Sequence, residues 1–144
     1  MKTITHRMAN AAALLGADQG IATLRFDGLL SPYNSAQMIG VVAAHMACSR
    51  SQAMVSDYTC ADVAQTARML ARSARPAMRP GSLLRLPGAL VVSADELPMW
   101  RSYCNALGSM GAMRAAFTNA AQARAWAAEN AALWAAQARF RALG

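Results

Sequence analysis

The sequence predicts an α/β domain: a mostly parallel sheet of about 4–5 strands, opened by an N-terminal hairpin and covered by packed helices. Three observations carry this. Residues 90–142 read as two strand-then-helix units in succession: Ala89–Val92 leads into a helical pattern from about Glu96 to Leu107, and Ala112–Phe117 into a long alanine-rich helix. Short apolar runs alternating with helices of that length are the pattern of a parallel sheet. The cluster Gly16–Gly20 ahead of Ile21–Phe26 marks a hairpin turn, with glycines free to take positive φ. Ser31-Pro32 then announces a helix, serine capping the first amides and proline tolerated at the first position.

Taken in order, the partner of the Ile21–Phe26 strand lies within Ile4–Leu15, where the alanine run is compatible with a strand or a short helix. The helix opened by Ser31-Pro32 runs to about Cys48. Its apolar residues Met38, Ile39, Val41, Val42, Ala43 and Met46 cover more than one face, which asks for burial on two sides or for a second chain. His45, isolated in that stretch, reads as a packed structural residue. Ala53–Tyr58 is the next strand. Thr59-Cys60-Ala61-Asp62 has the form of a capping box opening a further helix. That helix carries Val63, Ala67, Leu70 and Ala74 on one face and Gln65, Arg68, Arg72 and Arg75 on the other, and Pro76 ends it.

A Pro/Gly-punctuated connection, Met78–Gly88, leads to the strand at Leu90. Asp95 is the expected N-cap of the following helix, whose buried stripe is Leu97, Trp100, Cys104 and Leu107. Asn119 caps the last helix, in which Trp126, Leu133 and Phe140 recur every seven residues. Helical throughout, that segment is ~37 Å long at about 1.5 Å per residue, more than a small sheet needs, so its end should protrude. Trp134 falls beside the stripe, near a second surface.

The chain has 144 residues, 56% of them apolar, which fits a single domain spanning 1–144 with a substantial core. Fourteen basic residues, all but one of them arginine, against seven acidic ones give a net charge of +7. Total charge without clustering does not make a specific nucleic-acid binder. Aromatics are absent between residues 59 and 99, so the stacking platforms of single-strand binders are missing there. Cys48, Cys60 and Cys104 are scattered and without metal-ligand spacing, the pattern of reduced thiols in a cytoplasmic protein. Met8–Leu15 is too short and interrupted for a signal segment and reads as part of the fold, and no run approaches a membrane span.

No phosphate-binding loop, dinucleotide fingerprint, zinc-protease or nucleophile-elbow motif is present, so no catalytic, cofactor-binding or metal-binding residues are assigned. Asp57 and Asp95 follow successive strands and read as turn and cap residues, and Cys60 as an ordinary thiol near a helix start. The one clustered charge is Arg68, Arg72 and Arg75, extended by Arg79 and Arg85: a solvated face, or a patch for an anion or an acidic partner.

Three stretches carry a family resemblance: Ile21–Gly28 leading into a helix, Met54-Val55-Ser56-Asp57 before a helix, and Arg114–Trp126 near the end, a closing strand followed by a polar cap, an alanine-rich turn and a tryptophan. In pattern the chain resembles STAS-type regulatory domains, the fold of bacterial anti-sigma-factor antagonists, grouped with Sec14-like lipid-binding domains. The resemblance implies a non-enzymatic regulatory or protein-interaction domain with a protein partner. The alternative it implies is a small-molecule or lipid-headgroup binding protein of the Sec14-like type. Antagonists of the sigma pathway carry an Asp-Ser-[Ser/Gly]-Gly phosphoacceptor at the start of the second helix. Here Thr59-Cys60-Ala61-Asp62 stands in that place, leaving only Ser56 or Thr59 as possible phosphoacceptors. The wide apolar helix and the overlong last helix lead to the expectation of a homodimer.

Overall fold

A computed structural model describes residues 3–143, with side chains described for residues 3–140. Ten principal elements follow one another: β1 (Ile4–Met8), β2 (Ala11–Asp18), β3 (Ile21–Leu30), α1 (Pro32–Ser49), β4 (Ala53–Val63), α2 (Ala67–Ala74), β5 (Gly88–Val91), α3 (Leu97–Ser109), β6 (Arg114–Phe117) and α4 (Ala120–Leu143). The six strands form one sheet in chain order. β1, β2 and β3 pair antiparallel, whereas β3, β4, β5 and β6 pair parallel. The sheet is therefore mixed and larger than the mostly parallel one of 4–5 strands expected from sequence.

The difference arises at the N-terminus. Alanine is the best helix former, but Ala11–Ala13 form a strand because both edges find partners, β1 on one side and β3 on the other. The turn is also tighter than expected. Gly16 and Ala17 belong to β2, opposite Thr23 and Ala22, and only Gln19 and Gly20 make the reversal. Both take positive φ, 52° and 78°, as a two-residue hairpin of matching twist requires.

α1, α2 and α3 cover one face of the sheet, and α4 alone covers the other. On the first face Ala13, Leu15, Leu24, Phe26, Met54 and Leu90 meet Met38, Val42, Met46, Leu70, Trp100 and Leu107. On the second, Ile21, Ala53, Ala89 and Val91 meet Ala123 and Ala127, where alanine lets the helix backbone approach closely. The breadth of apolar surface on α1 is used inside the monomer: Met38 and Met46 are buried, and Ile39, Val41 and Ala43 pack around the same core. His45 is buried as a structural residue, its Nε2 2.7 Å from the Gly16 carbonyl oxygen.

Two helix starts differ from the sequence reading. Thr59–Asp62 do not cap a helix. They extend β4 to Val63, because β3 runs on to Leu30 and pairs Asp27 with Cys60 and Leu29 with Asp62. The cap lies farther along, at Thr66, whose Oγ1 accepts from the Met69 amide at 3.2 Å. Asp95 sits within a short 3-10 turn, Ala94–Glu96, rather than at the N-cap, and Ser93 donates to the Glu96 carboxylate at 3.3 Å. Asn119 does cap α4, accepting from the Gln122 amide at 3.0 Å. The seven-residue stripe does not follow α4 along the sheet. Trp126 packs against Phe117, but Leu133 and Phe140 are exposed, and Ala123, Ala127, Asn130 and Trp134 turn inward instead.

Asn34 fastens α1 to the N-terminal hairpin. It is fully buried, and its Nδ2 donates to the Ala9 carbonyl at 2.7 Å and the Leu29 carbonyl at 2.8 Å. Gly28 lets β3 lie close to the turn between β1 and β2: at φ 104°, a Cβ there would stand 2.4 Å from the Asn10 oxygen. Replacing Asn34 with Ala removes both bonds and strands two carbonyls. We expect a loss of about 2–4 kcal/mol in urea unfolding, against a change within about 0.5 kcal/mol for exposed Gln37→Ala.

Candidate functional site

Two features stand out on the helical face, one open and one enclosed. The open one is a cleft of about 510 Å³ between α2 and α3, walled by Arg68, Arg72 and Arg75 on one side and by Ser102, Ser109 and Met110 on the other. The amphipathic spacing of α2 produces it. Leu70, Ala71 and Ala74 are buried, which turns the arginines at i, i+4 and i+7 outward together. None of the seven carboxylates of the chain lines the cleft. Its charge is therefore uncompensated locally, and a cleft of one sign focuses the field toward an anionic group.

Of the five arginines suggested by sequence, the structure brings together these three. Arg79 is exposed on the following loop and does not line the cleft. Arg85 is half-buried, and its Nη2 donates to the Met110 carbonyl at 3.1 Å, fastening the loop before β5 to the end of α3.

Ser56 and Thr59 sit differently from one another. Ser56 is 1% exposed in β4 and faces the helices. Thr59 is exposed, and its Oγ1 and backbone N–H both donate to Asp57 Oδ1, at 2.6 and 2.8 Å. Asp57 is thus occupied, and it lies inside β4, paired with Arg25 and Val91, rather than at the turn expected from sequence. Cys60 accepts from Arg25 Nη2 at 3.3 Å on the exposed end of the sheet. The helix after β4 opens on Thr66, and no serine or glycine flanks it among Ala64, Gln65 and Ala67. Among the described residues, no three of His, Cys, Asp or Glu stand close enough to hold a metal ion.

The enclosed feature was missed from sequence. Arg114 opens β6; the residue is half-buried, and its guanidinium is turned onto backbone carbonyls. Nη1 donates to the carbonyls of Leu86 at 2.7 Å and Met113 at 2.9 Å, and Nη2 donates to that of Leu84. A Cβ at Gly88 would come within 2.9–3.1 Å of its Nε, Cδ and Cζ, so the glycine leaves the path of the side chain open. No carboxylate accompanies it. Burial lowers its pKa, while Tyr103, Cys104 and Tyr58 oppose that effect. Around it Tyr58 stacks on Trp100 with centroids 4.7 Å apart, and Tyr103 meets Trp100 edge-on at 5.4 Å. The one available signal was an arginine inside the otherwise apolar run Ala112–Phe117.

Among solved structures, the chain is similar to the crystal structure of an anti-sigma factor antagonist from Mycobacterium paratuberculosis, with a TM-score of 0.52 and 15% identity; the match covers 81% of this chain and 93% of that one. At that identity the likeness establishes the fold, and it agrees with the STAS-type resemblance drawn from the sequence. No family model and no curated protein matches the chain.

The buried acids near Arg114 give a pH signature. Burial pushes the Cys104 thiol from 9.0 up to about 11 and raises both Tyr58 and Tyr103. These groups stay neutral in the folded state where the unfolded chain would ionise them. The Cys104 contribution is complete below pH 9 and is lost as pH rises through 11. We expect the urea midpoint to fall steeply between those values, with Cys104 accounting for roughly 2–3 kcal/mol of the loss, and Cys104→Ala to flatten that interval.

Proposed function

We propose that the chain is a non-enzymatic regulatory domain of STAS type that works in the cytoplasm by binding another protein, and that the α2–α3 cleft is its partner-facing surface. The observation that carries the reading is the convergence of Arg68, Arg72 and Arg75 on a cleft lined by no carboxylate. An acidic segment of a partner fits that chemistry, each carboxylate meeting a guanidinium with a planar donor pair. The fold shared with an anti-sigma factor antagonist supports a regulatory role. Regulation by phosphate at Ser56 or Thr59 is not part of the proposal: one hydroxyl is enclosed and the other is held by Asp57. Intact-mass measurement of protein from its native host should show neither site stoichiometrically phosphorylated.

Self-association is part of the same reading, through a different surface. Leu133 is 53% and Phe140 77% exposed, seven residues apart on the free end of α4. A symmetric pairing of two α4 ends would cover both. The second face of α1 no longer contributes to this argument, because the monomer buries it.

Two measurements test these statements. Changing Arg68, Arg72 and Arg75 together to Gln should abolish binding of a fluorescent Asp- and Glu-rich peptide and shift Tm by no more than about 2 °C, since exposed charges contribute little to stability. A large fall in Tm would make the stripe structural. Wild-type binding should weaken as salt rises, and duplex DNA should not remain bound at physiological salt. Light scattering at tens of micromolar should give a dimer that Phe140→Glu dissociates without unfolding. A wild-type monomer would remove the dimer and leave the cleft reading untouched.

A further inference from the structure

Beneath α1, against the sheet, lies a chamber of about 70 Å³. Its wall is largely apolar, with Met38, Val42, Met54 and Leu90 among its residues, but polar groups gather in it. Ser56 and Trp100 both line it, each is 1% exposed, and neither Ser56 Oγ nor Trp100 Nε1 has a hydrogen-bond partner. Tyr58 lies beside Ser56, whose side chain interacts with the phenol and opposes the rise in its pKa that burial causes. Arg114, Tyr58 and Tyr103 complete the polar part of the wall.

The donor set is one-sided. Indole N–H and guanidinium N–H groups only donate, hydroxyls can donate, and no carboxylate lines the chamber. An orphaned buried donor such as the Trp100 indole N–H is costly, and one beside a cation with no carboxylate is unusual in a packed core. A guanidinium also carries more N–H groups than three carbonyls use. The complement to such a wall is a small acceptor with one negative charge and an apolar remainder. Size sets the limit: liquid water occupies about 30 Å³ per molecule, so the volume admits only a few heavy atoms. Ser35, Ile39 and Tyr103 are half-buried in the wall, which brings the chamber to the surface between the helices.

We propose that this chamber binds a short-chain monocarboxylate, its oxygens taking the Trp100 indole N–H, the Ser56 hydroxyl and the charge of Arg114, and its alkyl end lying against the methionines under α1. The site is separate from the α2–α3 cleft and does not rest on the proposed protein partner. Binding there would tie β4, α3 and β6 together through one ligand.

The test uses the full chain, with propionate as the probe and propionamide as its neutral isostere, at constant ionic strength. The Trp100 indole N–H gives a direct NMR readout, assigned by loss of its peak in Trp100→Phe, with the indoles of Trp126 and Trp134 as internal references. Propionate should move the Trp100 resonance saturably while the other two stay in place, and propionamide should bind at least tenfold more weakly. Ser56→Ala should weaken propionate roughly tenfold, the usual effect of losing a hydrogen bond to a charged group, without loss of fold. An unmoved Trp100 resonance up to tens of millimolar propionate, equal binding of the amide, or an unchanged affinity in Ser56→Ala would each overturn the proposal.

Discussion

The half-buried guanidinium of Arg114 joins the turn before β5 to the segment before β6. Its bonds reach Leu84 and Leu86 in the turn ahead of β5, and Met113 ahead of β6. Gly88, the first residue of β5, is the position its side chain passes. A lone charge held away from solvent is costly, and deleting it would remove the side-chain donor from the Leu84 and Leu86 carbonyls, while Met113 keeps the Gly88 amide. The arrangement therefore constrains its neighbours. β5 starts on the glycine that this side chain passes, and the loop before it turns carbonyls toward the guanidinium. Burial keeps Tyr58, Tyr103 and Cys104 protonated, and the cation opposes that effect. The parallel half of the sheet ends on β6, the strand that Arg114 opens.

The contrast with the α2–α3 cleft shows how context changes what an arginine does. Arg68, Arg72 and Arg75 stay in solvent, where screening makes their contribution to stability small and their availability to a partner high. Arg114 and Arg85 are turned inward onto carbonyls and serve the fold. The excess of positive charge in the composition is thus divided between exposed arginines and arginines bonded to backbone carbonyls, and only the exposed part can act at long range.

Much of the architecture could be read from sequence because its signals were local. Ser31-Pro32 opened α1, Asn119 opened α4, and the runs at Leu90 and Ala112–Phe117 became the last two strands. What escaped depended on pairing across the chain. Ala11–Ala13 became strand because β1 and β3 flank them, and Thr59–Val63 stayed extended because β3 continues to Leu30. No window of sequence contains the partner that decides either case. The stripe of arginines on α2 was visible as helical spacing, whereas the chamber was not. Ser56, Trp100 and Arg114 are distant in sequence and meet only through the sheet register and the docking of α3. Arg85 was grouped with the patch by proximity in sequence, and the fold turns it toward Met110 instead.

The central claim is that Arg114 is charged, enclosed and fixed to backbone carbonyls. Nitrogen-detected NMR of the arginine side chains tests it directly at neutral pH. A guanidinium held by these three bonds should show separately resolved, slowly exchanging Nη protons, lost selectively in Arg114→Met, while Arg68, Arg72 and Arg75 give averaged, fast-exchanging signals. If every arginine of the folded protein exchanges at solvent rates, with none distinguished at position 114, the enclosed cation does not exist and the account built on it fails.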